Sequence, residues 1–143
     1  MKNRKLIKLY LDIDGVLLTK RNPRPKNFSK RLIQFAVENF DCYWLTTHCK
    51  GDTGTAIKYL KPYFPEVYLR MLSKIKPTNW DALKTDAIDF ESAFVWIDDM
   101  MPFEAEQKVL SEKNKGNFIL VSESIGLLFV IEKLNDVLVK YRR

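Results

Sequence analysis

Five short apolar runs alternate with stretches of helical periodicity along almost the whole chain. The runs occupy residues 5–12, 41–46, 67–71 (the weakest), 93–98 and 117–121. Short and nearly continuous apolar runs suit strands covered on both faces. The stretch 29–40 repeats Leu32, Phe35, Ala36 and Phe40 at helical spacing, and 53–60 is a second helix candidate. The third is 78–90, with Pro77 and Thr78 as start signals, and the fourth is 102–113, with Pro102 suited to a first turn. The fifth, 126–141, carries Leu128, Ile131, Leu134, Val137 and Leu138 along one side, a stripe that suits the core or a partner. Such alternation predicts an α/β domain of three layers, with a mainly parallel five-stranded sheet between helices. Crossover connections then gather the loops after the strands at one edge, where ligands bind. Residues 19–27, with Pro23 and Pro25, read as an exposed loop.

A length of 143 residues fits one domain, 1–143, and 46% hydrophobic with 13% aromatic residues suits a packed core. Cys42 and Cys49 lie in one short stretch with no second pair to complete a zinc site, and read as reduced thiols of a cytoplasmic protein. The start resembles a signal peptide only superficially, because Lys8, Asp12 and Asp14 interrupt its apolar run. No stretch is apolar for long enough to span a bilayer, so no membrane role is expected. The formal charge of +6 is unevenly spread: residues 19–31 hold Lys20, Arg21, Arg24, Lys26, Lys30 and Arg31 and no acid. A basic surface favours anionic partners, nucleic acid among them, although for net charge alone a merely solvating surface is the better reading.

The polar residues that end the runs carry the chemistry. The first run ends in Asp12-Ile13-Asp14-Gly15, the second in Thr46-Thr47-His48, and the fourth in Asp98-Asp99. In a parallel sheet all three ends face the same edge, so four carboxylates converge. Packed carboxylates repel unless a cation compensates them, and clustered hard oxygens favour magnesium, which commonly adds a phosphate oxygen to its ligands. Residues two apart in an extended segment point to one side. Asp12 could then attack phosphorus with Asp14 beside the leaving oxygen and Gly15 letting the chain turn away, although this short motif alone equally suits a strand that merely ends at a turn.

Taken together, Leu9-Tyr10-Leu11-Asp12-Ile13-Asp14-Gly15-Val16-Leu17, Trp44-Leu45-Thr46-Thr47, Lys84 and Val95-Trp96-Ile97-Asp98-Asp99 resemble the haloacid dehalogenase (HAD) superfamily, in the order that family requires. The resemblance spans nearly the whole chain and implies a Rossmann-like core. It implies that Asp12 is the nucleophile of an aspartyl-phosphate and Asp14 the general acid, which favours a phosphatase over a dehalogenase. It also implies that Thr46 and the Thr47 amide bind the phosphoryl group, and that Lys84 neutralises Asp12 and the phosphate, with Lys74 and Lys76 as rivals. Magnesium would be held by Asp12, Asp14 (through its carbonyl), Asp98 and Asp99. Pro102 stands where many members place a further acid, and Glu104 reads as a solvated helix residue. His48 is a candidate substrate contact or a rim residue, and nothing around Cys49 suggests a nucleophile beyond nearby Lys50.

Neither gap between motifs has room for the cap domain that encloses small substrates in this family. An open site suits a phosphorylated macromolecule, a protein side chain or a nucleic-acid end, or a site completed by a partner. Lys20, Arg21, Arg24 and Lys26 follow the catalytic loop directly and are candidates for contacting such a substrate. The alternatives are a phosphate-binding or regulatory module with little turnover, a nucleic-acid-binding protein without chemistry, and a response-regulator receiver. The receiver fits poorly because Lys84 precedes Asp98-Asp99.

Overall fold

The computed structural model describes residues 7–113 and 116–141. Its chain order is β1 (Lys8–Leu11), α1 (Ser29–Asn39), β2 (Asp41–Trp44), α2 (Thr53–Leu60), α3 (Glu66–Leu72), a 3-10 turn (Lys84–Ala87), β3 (Phe94–Asp98), α4 (Glu104–Lys113), β4 (Gly116–Leu120) and α5 (Leu127–Tyr141). The strands form one four-stranded sheet in the order β2-β1-β3-β4, with every pair parallel. The α/β architecture therefore stands, with four strands among the described residues rather than the expected five.

The missing strand is instructive. Residues 67–71 fold into α3, which starts after Pro65 with Glu66 in its first turn, both ordinary helix-start signals. The free edge of β2 is instead touched by Lys76, whose N–H donates to the Cys42 carbonyl and whose carbonyl accepts from the Trp44 N–H. Thr78 continues this edge, its hydroxyl donating to the Trp44 carbonyl and its own carbonyl accepting from the Gly51 N–H. Backbone groups committed in this way cannot also close helical turns. These contacts keep residue 78 extended beside β2, and within the expected helix 78–90 only the turn Lys84–Ala87 is helical.

Side chains alternate across the strands, as their period of two demands. Leu9, Leu11, Trp44, Val95 and Ile97 enter the larger core beneath α1, α2, α3 and α5. Tyr10, Phe94 and Trp96 point to the other face, where Ile88, Trp80, Phe90 and Leu110 cover them. Each fully buried large apolar side chain contributes about 1.5–3 kcal/mol. The stripe of α5 resolves mostly inward: Leu127, Val130, Ile131, Leu134 and Leu138 are buried, while Leu128 stays exposed. No helix among the described residues is long and apolar enough to cross a membrane.

From β1 the chain moves outward through α1 to β2, and from β3 it moves the other way through α4 to β4. The sheet therefore changes direction between β1 and β3. In open α/β sheets the crevice at the carboxyl ends of two such strands is where ligands bind. Asp12 and Asp98 stand there.

Candidate active site

The loop after β1 is built by its own backbone. The carbonyl of Ile13 accepts from the N–H groups of Val16, Leu17 and Leu18, and the Gly15 N–H donates to the Leu18 carbonyl at 2.7 Å. Gly15 has φ +81, a conformation that suits glycine. Asp12 is left at the strand end, 8% exposed, with its Oδ1 accepting from the Ile13 N–H at 2.8 Å.

Asp98 is buried at the end of β3. Its Oδ1 accepts from the N–H groups of Asp99 and Met100, and its Oδ2 from Trp96 Nε1. Lys84 Nζ lies 2.7 Å from Asp98 Oδ2 and 3.5 Å from Asp12 Oδ2. The turn that carries Lys84 is anchored by the buried Glu106, whose carboxylate accepts from the Thr85 N–H and, at the start of α4, from the Phe103 N–H. The rivals lie elsewhere: Lys76 pairs with Asp41 at the opposite end of β2, and Lys74 is exposed just beyond α3. Of the three candidate lysines it is thus Lys84 that meets Asp12 and Asp98, although it reaches them from a 3-10 turn rather than from the expected helix.

Carboxylate oxygens of Asp12, Asp98 and Asp99 all lie within 4.8 Å of one another. The side chain of Asp14 does not join them. Its Oδ1 accepts from the Tyr59 hydroxyl at 2.7 Å, and its Oδ2 is 2.8 Å from His48 Nε2. The His48 and Tyr59 rings stack at 3.7 Å between centroids with 9° between their planes. A clamp of two rings thus grips both oxygens of Asp14. Sequence reading left His48 with two possible roles and passed over Tyr59 altogether, since nothing in the helical pattern of α2 marks a residue that bonds across 45 positions.

Thr46 is fully buried past the end of β2, with its hydroxyl oxygen accepting from the His48 N–H at 3.3 Å, and Thr47 is exposed. Glu104 is exposed at the start of α4. Cys49 and Cys42 are buried free thiols, and burial pushes the Cys49 thiol up, against a nucleophile's role. Lys20 is committed to Asp99 at 2.8 Å, whereas Arg21 and Arg24 are exposed and form no ion pair among the described residues.

Burial, and then the charge of Asp98, raise the Asp12 carboxyl to about 7 against the pull of Lys84. Lys84 is raised in turn: burial would lower it, but Asp12 and Asp98 override that. The folded state therefore holds the Asp12 proton more tightly than the unfolded chain. Stability from this group is present below the unfolded carboxylate value near 4 and is lost as pH rises through about 7. Between pH 5 and 8 without divalent metal, wild type is expected to lose roughly 2 kcal/mol more stability than Asp12→Asn. Thermal or urea unfolding of both proteins checks this, and parallel pH dependences would contradict it.

The three carboxylates fit a hard divalent cation chemically, since they are close, largely buried and all oxygen donors. Two lysines already supply positive charge where such an ion would act, Lys84 at Asp98 and Asp12, and Lys20 at Asp99. The chain matches no protein-family model, no curated protein and no solved structure.

Proposed function

We propose that this protein is a HAD-like, magnesium-dependent phosphohydrolase that works through an aspartyl-phosphate on Asp12 and acts on a phosphate group of a large or exposed substrate. The observation that carries the reading is the packing of Asp12 and Asp98 around Lys84, beside Asp99, in the crevice between β1 and β3. Three carboxylates and a largely buried lysine thus meet where a fold of this class takes its ligands.

In this reading an Asp12 oxygen forms a bond to phosphorus while the bond to the leaving oxygen breaks. The leaving oxygen takes a proton from Asp14. Water then attacks phosphorus, passes its proton to Asp14, and frees Asp12 and inorganic phosphate. Lys84 offsets negative charge on Asp12 and on the phosphoryl oxygens, and Thr46 and the Thr47 amide orient those oxygens. Bound magnesium, held by Asp12, Asp98, Asp99 and the Asp14 carbonyl, would supply further charge neutralisation at the phosphoryl group. His48 and Tyr59 hold the Asp14 carboxylate in one orientation and so act as positioning residues.

The direct test is hydrolysis of 4-nitrophenyl phosphate and of a simple alkyl phosphate, with magnesium and with chelator. Turnover that requires the metal supports the reading. Folded protein with no turnover on these or on phosphorylated peptides and oligonucleotides would transfer it to a phosphate-binding module. Leaving-group chemistry isolates the clamp. An alkoxide needs a proton far more than a nitrophenolate does, so Tyr59→Phe is expected to slow the alkyl ester about tenfold more than the nitrophenyl ester. Equal losses on both would mean that Tyr59 serves the fold and not Asp14.

A further inference from the structure

Beside Asp99 the molecule holds a cavity of about 630 Å³ that the reaction above leaves unused. Gly15 and Asp99 join it to the phosphoryl site, the loop 19–26 forms one wall, and Val121, Ser122 and Glu123 after β4 form the other. A space of this size takes a whole small organic group rather than a lone ion.

The basic wall is a constructed loop. Leu18 bridges Pro25 in antiparallel fashion, and the Thr19 N–H donates to the Arg24 carbonyl at 2.9 Å. The Thr19 hydroxyl oxygen accepts from the Arg24 N–H, and the hydroxyl faces the carbonyls of Arg21 and Asn22, each at 3.2 Å. Asn22 takes the left-handed turn at the tip, φ 47. One threonine therefore ties both arms and the tip of the loop. The loop's cations are unevenly committed. Lys20 is paired with Asp99, and Lys26 Nζ donates to the Gly15 carbonyl at 3.0 Å with no carboxylate partner among the described residues. Burial of Lys26 lowers its pKa more than the distant Asp99 and Glu123 restore it, so an anion nearby would relieve it. The guanidinium groups of Arg21 and Arg24 have no ion pair or hydrogen bond among the described residues, and the lining acids are Asp99, already paired, and Glu123.

We infer that this cavity seats a second phosphate group of the substrate, so that the natural substrate is a bisphosphorylated compound or a phosphate-terminated nucleic-acid strand rather than an isolated phosphomonoester. The inference rests on the phosphohydrolase reading for the position of the first phosphate. Uncommitted arginines and a half-buried lysine lining one space match a tetrahedral phosphate anion, whose several oxygens accept from more than one donor, better than a single carboxylate. Both sources present that chemistry: a nucleoside bisphosphate offers a second monoester, and a strand end offers the neighbouring diester.

The experiment compares wild type with Arg21→Gln/Arg24→Gln on three substrates: phenyl phosphate, a nucleoside 3′,5′-bisphosphate and a short oligonucleotide with a terminal phosphate. Wild type is expected to favour one of the phosphate-rich substrates over phenyl phosphate by at least about tenfold in kcat/KM, and the double variant to lose most of that ratio. Preference for the free bisphosphate assigns a small-molecule substrate, and preference for the oligonucleotide assigns a strand end. A ratio that is the same in both proteins, or a wild type without preference, overturns the inference. Calorimetric titration with the bisphosphate in chelator separates the two layers. Binding that weakens about tenfold in the double variant keeps the subsite even if no turnover is ever found. Binding that the substitutions leave untouched removes it even if the enzyme is active.

Discussion

Asp12→Asn is expected to abolish phosphatase turnover, by at least about a thousandfold, while the protein stays folded and becomes more stable in chelator above pH 7. The loss follows from the proposed mechanism, in which both half-reactions depend on an acyl phosphate that an amide cannot form. The gain follows from the surroundings of Asp12. It is 8% exposed, it lies in one carboxylate cluster with Asp98, and the two share a single lysine. Burial first, and then the charge of Asp98, make ionising Asp12 costly despite Lys84, which is why its carboxyl is raised to about 7. An uncharged isostere removes the repulsion and leaves Lys84 with Asp98 at 2.7 Å. A residue whose replacement stabilises the fold and removes activity is held for function rather than for structure. Steady-state kinetics on an aryl phosphate, together with urea unfolding at pH 8 with and without magnesium, reads both effects. An active Asp12→Asn protein would remove the aspartyl-phosphate mechanism, and a destabilised one would make Asp12 a structural partner of Lys84. Magnesium should reverse the order, stabilising wild type more than the variant, because it compensates the charge that Asn lacks.

Gly15→Ala is expected to damage the site out of proportion to the size of a methyl group. The Cβ would land on the Asp99 carboxylate, so that side chain must leave its place beside Asp12 and Asp98. The backbone at φ +81 adds about 1–2 kcal/mol of strain for any residue with a Cβ. The Asp99–Lys20 pair at 2.8 Å is lost with the displaced carboxylate, and the wall of the adjoining cavity shifts. Turnover should fall by about one to two orders of magnitude, and the magnesium concentration for half-maximal activity should rise by about tenfold. Unfolding curves measure the strain separately from the metal effect. A variant that loses stability but keeps wild-type magnesium dependence would place Asp99 outside the metal set.

Asp12 and Gly15 belong to one short segment at the end of the first run and could be read directly, but the effects of replacing them run through Asp98, Lys84 and Asp99, which are distant in sequence. Apolar runs ending in acids or hydroxyls imply strands whose ends carry chemistry, and α2 lies over the very residues 53–60 that its periodicity marks. The sequence by itself did not decide between Lys84 and Lys76: the preference for Lys84 leans on a helix leading into the Asp98 strand, and only the turn Lys84–Ala87 forms there. That setting was not legible, because the choice between a helix at 78–90 and a single turn depends on where the backbone of Thr78 finds its hydrogen bonds. The same holds for residues 67–71, where an apolar run too short to show its period was settled by Pro65 and by packing of α3 on α1.

What the sequence alone determined is the set of local rules: period-two runs that bury both faces, a glycine where the chain must turn at positive φ, and acids spaced to lie at strand ends. What only the tertiary structure decided is every pairing between distant residues. Asp14 faces Tyr59 and His48 instead of its neighbouring acids, Lys20 is spent on Asp99 while Arg21 and Arg24 are not, and Glu106 holds the turn that delivers Lys84. The reason is physical. Local patterns fix which way a side chain points from its own strand or helix, but a hydrogen bond or an ion pair is set by where the partner's element packs. That is governed by the shared core and by the direction reversal between β1 and β3.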